Sequence, residues 1–308
     1  MRLLFLPPMP APTPLVQTTR VGRVTVHAIQ AGGQQLDGGA MFGIVPKPLW
    51  EKRIPADARN RIPLGMRCLL VEHDEGLVLV DTGLGNKEDA KFHDIYGVEN
   101  AGADGRTLLE DGLRALGHRP EDVRVVVNTH LHFDHAGGNT WRDPGDPAGT
   151  VRPAFPNARY VVARGEYAYA THPNERTAGS YLPFNFVPLV AAGQLDLVDA
   201  GAAVVPGVRL LATPGHTPHH QSVLVESAGE TACFLADVIP TAAHLPLPWI
   251  MGYDVEPLVT LESKRRLLAQ AEAEGWLLVF EHDAAVAWGR VRHDGRQYAL
   301  VASEAAGG

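Results

Sequence analysis

The chain is short of cysteine, short of lysine and free of long apolar runs, and each shortage removes a class of protein. Its two cysteines, Cys68 and Cys233, lie far apart and outside any C-x-x-C spacing, which excludes a disulfide framework and a cysteine zinc finger. Each sits in an apolar, strand-like run and reads as a small buried hydrophobe in a reduced, cytosolic protein. Lysines number 5 against 22 arginines, the net charge is −8, and the longest basic run is the triplet Lys264-Arg265-Arg266. Nucleic acid is therefore not an expected partner. No segment approaches the ~18 consecutive apolar residues of a membrane helix, so no membrane partner is expected either. There is no G-x-S-x-G, which argues against a serine nucleophile and for direct attack by water.

What is present is 308 residues with 45% hydrophobic content, enough to bury a large core. The start, Met1 to Pro8, hints at a signal peptide, yet Pro7 and Pro8 cut its apolar run to four residues. A cytoplasmic location is the expectation, with secretion as the alternative. Residues 1–20 are expected to form a Pro-rich arm and residues 21–308 a single domain, because a boundary further on would split the ligands described next.

Residues 129–138 read T-H-L-H-F-D-H-A-G-G. His130, His132, Asp134 and His135 are ligand types for a borderline divalent cation, and no apolar period would gather them. Residues 123–128 form a β-branched run that predicts a buried strand, after a helix over about residues 107–116. The ligands thus fall at the C-terminal end of a strand, where open α/β sheets place their sites. His130 and His132, two apart in extended chain, can face one cation; Asp134 and His135, after a turn, can face a second. Gly137 and Gly138 allow a sharp turn there. Three later strand-like runs end in the same way: residues 208–212 lead to His216, residues 231–236 to Asp237, and residues 276–280 to Glu281-His282-Asp283.

In order and spacing, the H-x-H-x-D-H run, the T-P-G-H-T turn, Asp237 and the final E-H-D resemble the metallo-β-lactamase superfamily. Residues 77–83, L-V-L-V-D-T-G, are similar to its first motif. More narrowly, H-L-H-F-D-H-A-G-G and T-P-G-H-T-P-x-H-Q-S resemble the quorum-quenching lactonases that open N-acyl-homoserine lactones. Residues 36–50, L-D-G-G-A-M-F-G-I-V-P-K-P-L-W, are similar to their YtnP-like branch. The resemblance covers roughly residues 22–285.

The resemblance implies an α/β (α+β) fold, a four-layer αββα sandwich with metals at one sheet edge. It places His130, His132 and His216 on one metal and Asp134, His135 and His282 on a second, with Asp237 bridging. Asp81 and His220 would stand behind the ligands, Asp81 orienting a ligand imidazole. His219 occupies a position where the family commonly has Gly. Two zinc ions are the expected cofactors, with cobalt, manganese or iron as alternatives, and a homodimer is implied. One departure stands out: lactonases of this family carry a Tyr three residues after the bridging Asp, and here that position is Pro240. Thr241 and His244 are the candidates to supply the missing donor.

Two divalent cations about 3.5–4 Å apart can share a water and bring its pKa towards neutrality. The expected activity is therefore hydrolysis of a small-molecule lactone by a metal-bridging hydroxide, with Asp134, Asp237 and His244 as catalytic groups. A phosphotriesterase or arylesterase on the same site is the alternative, and a non-catalytic metal-binding protein the remaining one. A glyoxalase II-like thioesterase fits less well, because the residues after His282 predict a hairpin around Asp294-Gly295 rather than a helical module. The irregular residues 141–156 and 171–188 are expected to set specificity. Met41, Phe42, Ile44 and Trp50 show neither strand nor helix period, and read either as packing or as a wall for an acyl chain.

Overall fold

Apolar residues alternate along most strands, and that period of two gives each sheet one face for its partner sheet and one for helices. The computed structural model describes residues 13–301 apart from Pro144 and Pro147. The leader at residues 1–12 lies outside the described residues.

In the first sheet, β1 (Val16–Val21), β2 (Val24–Asp37), β3 (Arg61–Glu72) and β4 (Leu77–Val80) are antiparallel neighbours. β5 (Val123–Val127) joins β4 in parallel. A separate short hairpin, β6 (Thr140–Arg142) with β7 (Val151–Pro153), follows. β8 (Arg159–Ala163) and β9 (Leu195–Val198) then extend the first sheet in parallel to seven strands. The second sheet runs in chain order through β10 (Ala203–Val205), β11 (Val208–Ala212), β12 (Gln221–Ser227), β13 (Glu230–Phe234), β14 (Leu277–Val279) and β15 (Trp288–Gly289). Its pairs are antiparallel except β13 with β14. β16 (Val291–His293) and β17 (Tyr298–Leu300) form the expected C-terminal hairpin.

Three apolar layers follow from the alternation. Leu69, Val71, Val78, Val80, Val125 and Val127 of the first sheet meet Val223, Val225, Ala232, Phe234 and Val279 of the second. Their strand neighbours Cys68, Leu70, Leu79 and Val126 face the other way, onto Leu109 and Leu113 of the helix Leu108–Ala115. On the far side, Leu224, Cys233 and Leu278 pack against Leu267, Leu268 and Ala271 of the helix Pro257–Glu274. This is the four-layer αββα order. The first helix starts at a capping box between Thr107 and Glu110; the second starts at Pro257 and stops at Gly275, in the left-handed region at φ 68°. Both cysteines are buried and unpaired. Among the described residues no helix is long and apolar enough to cross a membrane.

Several details differ from the sequence expectations. The first sheet begins at Val16, inside the segment expected as an arm, because Val16–Val21 pairs with β2 along its whole length. The stretch from Gly38 to Trp50 is two short helices, Gly38–Phe42 and Lys47–Trp50, the first capped by Asp37; each is too short to show a helical period. Residues 141–156 contain the β6–β7 hairpin rather than irregular chain alone.

Phe234 is wholly buried between the two sheets. Phe234→Ala should cost about 3–5 kcal/mol of unfolding free energy, read by chemical denaturation of the full chain. A loss under about 1 kcal/mol would show that this layer is not what holds the sheets together.

Candidate active site

β4 and β5 are parallel, and β11, β13 and β14 share one direction in the second sheet, so the residues that follow each strand collect at one edge. Asp81 follows β4, His130 and His132 follow β5, His216 follows β11, and Asp237 and His282 follow β13 and β14. After His132 the chain turns into a single helical turn, Phe133–Ala136, which carries Asp134 and His135. Between the ligands, Leu131 points into the apolar cluster with Val162 and Tyr181, and Phe133 packs with Met66 and Leu84. Apolar burial on alternate residues thus aims the polar ones.

The structure brings together His130, His132, His216 and Asp237 as one group of ligand atoms and Asp134, His135 and His282 as another, each within 4.8 Å. Asp237 reaches both: its Oδ2 is 2.9 Å from His216 Nε2 and its Oδ1 is 2.9 Å from His282 Nε2. The outer nitrogens of these imidazoles are fixed. His216 Nδ1 donates to Asp254 at 2.9 Å, and His282 Nδ1 donates to the Gly65 carbonyl at 2.8 Å. His135 Nδ1 donates to Asp81 Oδ2 at 3.1 Å. In the neutral rings this leaves lone pairs on the inward nitrogens.

The lone pairs of His282 and His135 point at one another, and that of His216 points at Nδ1 of His132. His282 Nε2 is 3.2 Å from His135 Nε2, and His216 Nε2 is 3.1 Å from His132 Nδ1. His130 Nε2 is buried without a hydrogen-bond partner among the described residues. Neutral imidazoles in this arrangement repel unless positive charge lies between them, so the donor set fits bound divalent cations. The same demand appears in proton affinity. Burial pulls the His216 and His282 imidazoliums down, but Asp237 and the neighbouring carboxylates more than reverse this, to about 10 and about 9. His130 and His132, dominated by burial and by the other imidazoles, lie well below the ordinary histidine value.

Further groups hold the ligands in place. Asp81 takes the Thr129 amide at 2.9 Å and the Thr129 hydroxyl at 2.7 Å while facing His135, and does so from a left-handed backbone at φ 54°. His220 donates from Nδ1 to Thr213, and its Nε2 accepts the Asp237 amide at 3.1 Å; burial keeps it neutral, at about 3. It therefore positions Asp237. His219, next to it, is exposed and lies over Gly165, where a Cβ would meet its ring at 2.4 Å.

Sequence reasoning does not single out Asp254, Gln34 or Arg67, and it marks Glu281 only as part of the E-H-D run. Gln34 donates to Asp134, and Glu281 lies 3.0 Å from His135, its carboxyl pushed by burial up to about 8. The buried Arg67 guanidinium donates to the carbonyls of Phe280 and Asp283, bracketing His282. Asp254 sits in a loop and Gln34 and Arg67 in strand interiors, so no local pattern marks them.

A cavity of about 420 Å³ opens over the ligands, reaching His132, Asp134, His216, Asp237 and His282. Leu36, Met41, Leu64, Phe133, Met251 and Val255 line it, with Tyr96, Arg176, Thr177, Ser180 and Tyr253 as polar groups. Residues 171–188 thus contribute to its wall, while none of the described residues of 141–156 does. Of the apolar candidates only Met41 lines it. Phe42 and Trp50 stack beneath, 5.4 Å apart, in the buried cluster that backs Met41, Leu64 and Met251 of the wall. The two donors considered in place of the family Tyr are turned elsewhere. His244 Nε2 donates to the Met41 carbonyl at 2.9 Å, its Nδ1 accepts the Thr241 hydroxyl at 2.8 Å, and Phe42 stacks on its ring at 4.4 Å. Neither Thr241 nor His244 lines the cavity, because their polar atoms tie the Gly38–Phe42 turn to the loop after β13.

The family model for the metallo-β-lactamase superfamily matches residues 63–282. An N-acyl homoserine lactonase from Bacillus cereus is 33% identical over 236 residues, 73% of this chain and 83% of that protein. The solved structure of a probable metal-dependent hydrolase from Staphylococcus aureus is 30% identical, with a TM-score of 0.82 over 92% of this chain and 99% of its own. A Bacillus thuringiensis AiiA variant, solved with N-decanoyl-L-homoserine at its active site, is 26% identical, with a TM-score of 0.62 over 86% and 94%. The chain belongs to the metallo-β-lactamase superfamily and, within it, to the family of the N-acyl homoserine lactonases. It is a metal-dependent hydrolase of that family.

His244→Ala should lower Tm and leave the metal content of the protein unchanged, as measured by thermal unfolding and elemental analysis. Loss of a cation would show a contact with the ligands that the geometry does not contain.

Proposed function

We propose that this chain opens the ring of N-acyl homoserine lactones with two divalent cations, zinc foremost. One cation would be held by His130, His132 and His216, the other by Asp134, His135 and His282, with Asp237 shared. When bound, the cations supply an acidified water and a positive charge for the carbonyl oxygen. The carrying observation is that both ligand groups, joined through Asp237, floor one largely apolar cavity. A lactone head would rest over the ligands while an acyl tail lies along Leu36, Met41, Leu64 and Met251.

In this reading water adds to the lactone carbonyl carbon, the ring C–O bond breaks, and a proton reaches the departing alkoxide. Asp134 is the ligand carboxylate assigned to pass that proton, because it faces the cavity while Gln34 holds its other side. Tyr96, Tyr253 and Ser180 stand on the cavity wall, where their hydroxyls would meet the lactone and amide oxygens. Support also comes from the relatives: the Bacillus cereus protein is named for this activity, and the AiiA variant holds the ring-opened decanoyl compound.

The test is proton release on short- and long-chain N-acyl homoserine lactones, with the cations of the enzyme assayed. Turnover with about two cations per chain, abolished in His130→Ala and Asp237→Asn, is the expected outcome. Two bound cations with preference for an aryl phosphotriester or aryl ester would overturn the lactone reading and favour the alternative. Met41→Ala should raise KM more for long chains than for short ones, whereas Phe42→Ala, beneath the wall, should affect both alike. Equal effects of Met41→Ala on both chain lengths would place the tail elsewhere.

A further inference from the structure

We infer that Glu166 is a positioning residue for the cation site made by His130, His132 and His216, tying together the two chain segments that carry those ligands. The inference rests on the two-cation reading above. Glu166 lies on the helix Arg164–Ala170 after β8, contributes no ligand, and is wholly buried. Its Oε1 accepts the Leu131 amide at 3.1 Å and the Tyr181 hydroxyl at 2.9 Å, while its Oε2 accepts the Thr217 hydroxyl at 2.7 Å. Leu131 is the residue between His130 and His132, and Thr217 directly follows His216. Tyr181 lies edge-on against the His132 ring, with centroids 4.7 Å apart. One carboxylate thus reaches each of the two ligand segments through a bond to the chain next to the ligands.

The placement is costly without a purpose. Glu166 sits beside an apolar cluster of Leu131, Val162, Ala170, Tyr181 and Phe186, so the cost of burying its carboxylate is offset only by those three hydrogen bonds. Its bonds also stop at the first group of ligands. Asp134, His135 and His282 are held instead by Gln34, Asp81 and Gly65. Losing Glu166 should therefore loosen one cation and spare the other.

The experiment counts cations per full-length chain and measures their release by chelator competition. Wild type should hold two. Glu166→Ala should keep one at near wild-type affinity and release the other about 10–100-fold more readily. Glu166→Gln, which can still accept from Leu131 and donate to the Thr217 hydroxyl, should restore most of the difference. In a His282→Ala background, where the three-histidine site is the one left with all its histidines, adding Glu166→Ala should make the remaining cation about 10–100-fold easier to release. If Glu166→Ala does not fold, Thr217→Val and Tyr181→Phe cut single arms and should each weaken the same cation. Two cations held at wild-type affinity with only a lower Tm, or equal weakening of both, would overturn the assignment as merely structural. Fewer than two cations in wild type would overturn the two-cation reading itself, and this inference with it.

Discussion

The site depends on one electrostatic constraint: imidazole nitrogens whose outer protons are already committed face each other and Asp237 inside a buried pocket. His216 and His282 each give a proton outward, to Asp254 and to the Gly65 carbonyl, so their inner nitrogens meet His132 and His135 at 3.1 and 3.2 Å. Such a cluster is unfavourable when neutral and empty of charge, and favourable around cations. Folding the two sheets together and gathering the ligands are therefore one event, because each sheet supplies part of both groups.

The backbone at the sheet edge is shaped to permit this gathering. Asp81 and Ala236 both adopt left-handed backbone, at φ 54° and 48°, directly at strand ends beside the ligands. Non-glycine residues in that region store strain, which the surrounding bonds must hold in place. For Asp81 those bonds run to Thr129 and His135; Asp237, just after Ala236, is held through its amide by His220. The glycines after His135 serve close approach rather than unusual φ. A Cβ on Gly137 would lie 2.1 Å from the Leu84 carbonyl oxygen and one on Gly138 2.1 Å from that of Thr82, so only Gly lets residues 82–84 lace against the motif.

The cavity wall illustrates how exposure and chemistry separate. Phe42, Trp50 and His244 form a stacked, buried unit under the cavity, while Ala40 and Met41 of the same stretch line it. Among the polar groups that face the cavity, Tyr96 ends the helix Ala90–Tyr96 between β4 and β5 and Tyr253 precedes the helix Pro257–Glu274, both in segments with no motif of their own. Donor chemistry at this wall is distributed by the fold and not grouped along the chain.

The sequence by itself determined the strands and the residue types at their ends. Residues 123–128, 208–212 and 276–280 carry runs whose apolar content forces burial, and the histidines and carboxylates that follow have no apolar reason to be there. Local chain also decided the Thr107 capping box and the C-terminal hairpin, since both depend on residues within a few positions of one another. Only tertiary structure decided the rest. Asp254, Gln34, Arg67 and Glu166 act on ligands, or on the backbone beside them, 35 to 213 residues away, and a lone buried polar side chain carries no periodic mark. His244 reads as a candidate donor because Pro240 stands where the family carries Tyr; its two nitrogens are taken by Thr241 and by a carbonyl more than 200 residues distant, a partner that no reading along the chain could supply.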